Sequence, residues 1–186
     1  EHGSARLWRL ARAEALGTDG KKMIDMVLDG SRAYSRDPQR MAELVKHLNH
    51  PAPEVRRAAI HDLSAAEGDA VAMLIAALAN AELKTQHAGV RDALVAMGKT
   101  SIPPLVAAVA ADDASVAVQA IECLGRIKDR EALDYLFGPA LGQDAVRRDA
   151  AMTAIASIAG RKPAAQEIEK LLAKVAAAYL ARSVRL

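Results

Sequence analysis

The residues best suited to chemistry in this sequence are two histidines and a single cysteine. His47 and His50 stand three apart in "HLNH", where both rings could reach one metal ion, but no carboxylates or cysteines cluster with them. They fall at a predicted helix end, where the helix dipole favours histidine. Cys123 has no histidine close in sequence and lies between Ile121 and Leu124 in a predicted packed helix. We therefore assign no catalytic residue, no metal and no cofactor.

A glycine- and lysine-containing stretch near the start of the sequence is a candidate phosphate loop. It reads "GTDG" at residues 17–20 and is followed by Lys21 and Lys22. The spacing differs from the G-x-x-x-x-G-K-[ST] pattern whose backbone wraps a phosphate. We expect an ordinary loop here.

The composition is that of a globular chain that packs small side chains. Of 186 residues, 52% are hydrophobic and only 3% are aromatic, which favours closely packed helices over a sheet sandwich. The net charge of +2 concerns solubility and selects no partner. A lone cysteine excludes an intramolecular disulfide and a zinc site built on paired cysteines. The longest apolar run, "AVAMLIAALANA", is shorter than the roughly 20 residues of a membrane span. The sequence does not assign a cellular compartment.

The stretch "DDASVAVQAIECLGRIKD" belongs to an internal repeat that extends over most of the chain. One set of apolar residues recurs at intervals of 31, 30 and 31: Leu63, Leu94, Leu124 and Ile155. A second set recurs at 30, 31 and 31: Leu44, Leu74, Leu105 and Leu136. We call these two sets the apolar ladders. Within a period, Val116, Ala120, Leu124 and Ile127 have the spacing of one helix face. Each period therefore holds two helices.

Proline, glycine and aspartate mark the expected helix boundaries. Asp37 before Pro38 is typical of an N-cap followed by a first-turn proline. Three prolines fall near predicted helix starts and three glycines near predicted helix ends: Pro53, Pro103 and Pro163, then Gly68, Gly98 and Gly160. The pattern predicts a row of antiparallel helix pairs from about residue 37 to about residue 174.

The two ends of the chain are less regular. "ARLWRLARAEALG" resembles the second helix of a preceding repeat, whereas "KKMIDMVLDG" and "SRAYSRD" do not fit the ladder, so we interpret residues 1–36 as a degenerate helical repeat or cap. Residues 37–186 are expected to hold about four helix pairs and a C-terminal helix. That last helix has no polar closing face, which suggests a single domain excised from a longer protein with other domains.

The quoted repeat carries a family likeness. "DDASVAVQAIECLGRIKDREALDYL" resembles a HEAT-type repeat, and its short period is similar to the phycobilisome-lyase-like HEAT subgroup, with units of D-x-x-V-R-x-x-A-x-x-A-L-G-x-I-x-D. The matching residues are Asp113, Val116, Ala120, Leu124, Gly125, Ile127 and Asp129, and "PEVRRAAIHDL" matches at residues 55 and 56. Gln86 replaces the usual valine, Ala117 replaces the usual arginine, and one extra residue falls near residues 138–141. The resemblance implies an all-α fold, a right-handed α-α superhelix of antiparallel helix pairs.

The resemblance also implies that the second helix of each pair lines a concave face. One column of that face would hold His61, Asp92, Glu122 and Thr153, and its neighbours would be Arg56, Arg57, Arg126, Arg148 and Asp149. This lining carries both signs of charge. We predict a non-catalytic scaffold that binds a protein or peptide through its concave or ridge surface.

Two other functions are compatible with such repeats. A bilin-lyase-like protein would handle a tetrapyrrole, although aromatic residues for ring packing are scarce. A nucleic-acid-binding protein would need a groove that is basic along its length, which Asp92 and Glu122 interrupt, and single-strand binding would need aromatic stacking residues, which this column lacks. The pairs Arg56-Arg57 and Arg147-Arg148 are more typical of solvated helix starts with local salt bridges.

Overall fold

The structure is a computed structural model that describes residues 17–183, with side chains described as far as residue 181. Of the described residues, 84% are helical and none lies in a strand, which confirms the all-α prediction. The α-helices are α1 (Thr18–Ser35), α2 (Pro38–His47), α3 (Pro53–Ser64), α4 (Gly68–Ala79), α5 (His87–Ala96), α6 (Ile102–Val109), α7 (Ala114–Ile127), α8 (Leu133–Leu141), α9 (Ala145–Ala159) and α10 (Ala165–Ser183). Short 3-10 helices at Ala81–Gln86, Gly98–Ser101 and Arg130–Ala132 precede α5, α6 and α8.

Aspartate side chains begin several of these helices. The Asp37 carboxylate accepts a hydrogen bond from the backbone N–H of Arg40 at 2.7 Å, and Pro38 is the first residue of α2, as predicted. Asp113 and Asp144 cap α7 and α9 in the same way. Each cap satisfies backbone N–H groups that have no partner inside the helix.

Glycines end two of the helices, but a third glycine begins one. Gly98 follows α5 with φ +59°, and Gly160 caps α9 with φ +76°, as the sequence predicts. Gly68 is instead the first residue of α4, so its predicted place at a helix end is wrong. The turn after α3 is closed by backbone hydrogen bonds of residues 65–67, and Glu67 itself takes the positive φ of 50°.

The N-terminal described segment is one helix rather than a loop followed by fragments. Gly17 caps α1, which begins at Thr18, so the loop expected for "GTDG" is wrong. Asp19 lies in the first turn, where a carboxylate favours the helix dipole. The helix continues through "KKMIDMVLDG" and most of "SRAYSRD". Apart from Gly17, the stretch "ARLWRLARAEALG" lies outside the described residues.

Both apolar ladders lie in one core. Seven of the eight ladder residues are at most 2% exposed and belong to a single buried cluster: Leu63, Leu74, Leu94, Leu105, Leu124, Leu136 and Ile155. Leu44 is half-buried and packs against that cluster. The sequence period therefore corresponds to a shared interior that runs through α2 to α9.

Most of the extensive helix contacts join helices one or two places apart in the chain. The most extensively packed pairs are α7 with α9, α8 with α9, α6 with α7, and α8 with α10, while α4 also contacts α7. Helices α2 and α3 run antiparallel, because Arg40 near the start of α2 lies 2.5 Å from Asp62 near the end of α3.

Candidate binding groove

Helices α7 and α9 lie side by side and run in the same direction. Arg147, in the first turn of α9, donates from Nη2 to the backbone oxygens of Ala111 at 3.0 Å and Asp112 at 3.1 Å, just before α7 begins. Near the other end, Gly125 of α7 lies against Ala154 of α9. The two helices are thus held together at both ends.

Gly125 allows this close approach. A Cβ atom placed on it would lie 2.8 Å from both Cα and Cβ of Ala154, closer than carbon atoms pack. Only glycine leaves room for the neighbouring helix backbone at this point. The contact forms the floor of a groove between the outward faces of α7 and α9.

The groove has a volume of about 460 Å³. Helix α7 lines it with Val118, Glu122, Gly125 and Arg126. Helix α9 lines it with Val146, Asp149, Ala150, Thr153, Ala154 and Ser157. Four residues that the sequence analysis placed on the concave face are therefore brought together here, within a mainly apolar lining: Glu122, Arg126, Asp149 and Thr153.

Of the three charged side chains in the groove lining, Arg126 forms an ion pair with a described residue, whereas Glu122 and Asp149 do not, and we call these two carboxylates uncommitted. Nη2 of Arg126 lies 2.7 Å from Oδ1 of Asp92, an ion pair that joins α7 to α5. Glu122 and Asp149 are exposed, and neither carboxylate takes part in an ion pair or hydrogen bond with any residue between 17 and 181. Because Arg126 is already neutralised, the uncommitted charge in the groove is acidic.

The other predicted site arginines hold loops. Nη1 of Arg56 donates to the backbone oxygens of His50 at 2.6 Å and Pro51 at 2.9 Å. Nη1 of Arg148 donates to the backbone oxygen of Gly142 at 3.2 Å. Arg56 and Arg148 thus each bind the loop before their helix through backbone oxygens and not through the predicted local salt bridges. Among the described residues, Arg147 alone of the four arginines forms such a bridge, with its Nε 3.4 Å from Oδ2 of Asp144.

Arg57 and His61, the remaining predicted residues, are exposed on α3. Nε of Arg57 lies 3.4 Å from the backbone oxygen of Pro53, and Nδ1 of His61 lies 3.4 Å from Oδ1 of Asp62. Neither residue lines the groove between α7 and α9.

His87 has a role that the sequence interpretation missed. It is buried at the start of α5, and its Nε2 lies 3.1 Å from the backbone oxygen of Ala77 and 3.2 Å from that of Asn80. His87 lies 31 residues after Arg56, which is one repeat period. It therefore binds the chain segment before its helix from the repeat position that Arg56 occupies in the preceding period. That offset was the signal that could have identified it.

The remaining chemically suited residues have structural contacts. The rings of His47 and His50 meet edge to face with centroids 6.5 Å apart, and Nδ1 of His50 accepts from the backbone N–H of Ala52 at 3.1 Å. Cys123 is fully buried, and burial raises the pKa of its thiol to about 12. A thiol that stays protonated is a poor nucleophile.

A second groove, of about 340 Å³, lies between α2 and α4 and was not predicted. Its lining is mainly apolar and includes Val45, Met73 and Leu83. Lys46 at its edge lies 2.7 Å from Glu43 of the same helix. This groove therefore offers less uncommitted charge than the one between α7 and α9.

Between residues 17 and 183, no three His, Cys, Asp or Glu residues are grouped so that they could hold a metal ion. In the same range no helix is both long enough and apolar enough to cross a bilayer. No protein-family model matches the chain, and no curated protein matches it.

Proposed function

We propose that this chain is a non-catalytic, HEAT-like scaffold that binds a protein or peptide segment on the face built by the second helices α3, α5, α7 and α9. The proposed architecture is a right-handed superhelix of antiparallel pairs. Three observations support it: the ladders share one core, α2 and α3 run antiparallel, and α7 and α9 run side by side in the same direction.

The groove between α7 and α9 is the observation that carries the binding proposal. Its lining extends from Val118 to Arg126 on α7 and from Val146 to Ser157 on α9. At the helical rise these stretches are about 12 and about 16 Å long. That length accommodates about five residues of an extended segment, at roughly 3.3 Å each.

The two other functions from the sequence analysis have less support. Acidic residues on both walls of the groove would repel a phosphate backbone. The lining includes no aromatic residue that could stack on a tetrapyrrole ring. Salt-sensitive retention on heparin would favour nucleic-acid binding, and an absorbance shift on adding a bilin would favour tetrapyrrole handling.

Selection from a displayed library of random eight-residue peptides tests the proposal directly. Enriched peptides should bind the purified chain in fluorescence anisotropy, and Thr153→Trp should abolish their binding because the indole fills the groove. The matched control is Ser31→Trp, which adds the same side chain to an exposed position on α1. If the library gives no enriched binders, or if Thr153→Trp leaves the dissociation constants of the enriched peptides unchanged, a peptide site in this groove would be refuted.

A further inference from the structure

We infer that the groove between α7 and α9 recognises a protein segment in which a lysine or arginine lies next to an apolar anchor residue. This inference rests on the proposed function and specifies its partner. It is carried by the uncommitted charges of the groove and by the apolar surface between them.

The two uncommitted carboxylates come from opposite walls. Glu122 belongs to α7 and Asp149 to α9, and both line the same groove. Arg126, the one cation in the lining, is held by Asp92 at 2.7 Å. A basic side chain entering between the walls would therefore meet two acidic groups without displacing an existing ion pair, which favours a cationic partner.

The neighbouring basic side chains keep their charge but lie outside the lining, and Nε of Arg147 lies 3.4 Å from the carboxylate of Asp144. Arg147 donates to the backbone oxygens of Ala111 and Asp112, and Arg148 donates to that of Gly142. Neither arginine lines the groove. An acidic segment would thus face Glu122 and Asp149 without a free cation in the lining to compensate.

The apolar part of the lining supplies the second requirement. Val146 is 64% exposed, and Val118 and Ala150 are half-buried beside the acidic groups. Covering such surface is favourable at roughly 25 cal/mol per Å². A purely charged segment would leave it in water, so an apolar residue adjacent to the basic one fits the groove better.

The peptides selected from the random library provide the test. We expect them to be enriched in Lys or Arg next to Leu, Ile, Val or Met, and Glu122→Gln with Asp149→Asn should weaken their binding about fivefold. These substitutions remove charge and keep shape. Asp25→Asn with Glu169→Gln, which neutralises two exposed acids outside the groove, should leave the dissociation constant unchanged.

The outcomes separate this inference from the proposed function. Peptides that lose binding with Thr153→Trp but carry no basic residue would overturn the inference and leave the scaffold function standing. Basic peptides weakened equally by both double substitutions would show general attraction to acidic surface, and this would also overturn it. Binding unaffected by Thr153→Trp would overturn both.

Discussion

Gly125 determines how closely α7 and α9 approach. Its place on α7 faces the backbone of Ala154, and a methyl group there would lie 2.8 Å from the Cα atom. We predict that Gly125→Ala destabilises the chain by about 1–3 kcal/mol through overpacking, despite the better helix propensity of alanine. Urea unfolding followed by circular dichroism measures the change.

Gly30→Ala is the matched control for that substitution. Gly30 lies inside α1, and a Cβ atom placed on it would meet nothing within 4 Å. Alanine should therefore leave stability unchanged or raise it by up to about 1 kcal/mol. Equal effects at Gly30 and Gly125 would show that close helix packing is not what selects glycine at position 125.

Cys123 makes stability depend on alkaline pH. Burial raises the pKa of the thiol from 9.0 to about 12, so the folded chain holds this proton more tightly than the unfolded chain. The resulting stabilisation is complete below about pH 9 and is lost as the pH rises towards 12. The advantage of wild type over Cys123→Ala in unfolding free energy should fall by up to about 1.4 kcal/mol per pH unit above pH 9. Parallel pH profiles of the two proteins would contradict this.

Among the elements, α7 depends on its aspartate cap. Oδ1 of Asp113 accepts from the backbone N–H groups of Ser115 at 2.7 Å and Val116 at 3.3 Å. Asp113→Ala should cost about 1 kcal/mol of unfolding free energy in thermal or urea denaturation. Asp112→Ala removes an adjacent exposed carboxylate that makes no capping bond, so it should cost much less. Similar losses from both variants would argue against the cap.

Local sequence signals predicted where helices begin more reliably than they predicted which helices contact one another. Asp37, Pro38 and Pro53 mark helix starts correctly because capping and proline geometry act within one turn. The apolar ladders predicted the core because their period matches the spacing of the helices that share it. Gly68 misled because a glycine at a helix boundary does not distinguish a start from an end.

The parts of the site that sequence could not predict arise from long-range contacts. Arg126 pairs with Asp92 34 residues away, so the sequence suggested two free charges where the structure has one neutral pair. The approach of Gly125 to Ala154 likewise depends on the relative placement of two helices. Glu122 and Asp149 were both predicted, but only the structure shows that they are the uncommitted charges of one groove.

Most of the extensive helix contacts join near neighbours in the chain, so we expect a disturbance in one helix to stay local, as it does in repeat proteins. Ile168 is fully buried in α10, a helix that packs mainly on α8. Ile168→Ala should cost about 2–4 kcal/mol in the unfolding of that end of the molecule. Native-state hydrogen exchange should speed up in α10 and α8 and remain nearly unchanged in α2 and α3. Equal acceleration throughout the chain would indicate one indivisible core.

We have proposed that stacked helix pairs present the groove between α7 and α9 to a protein segment. Amide chemical shifts of the ¹⁵N-labelled chain, recorded while the tightest selected peptide is added, locate the residues that the peptide contacts. We expect the largest shift changes to cluster in the groove, at Glu122, Arg126, Asp149 and Thr153. Changes concentrated instead on α2 and α4, or spread evenly over the surface, would contradict it.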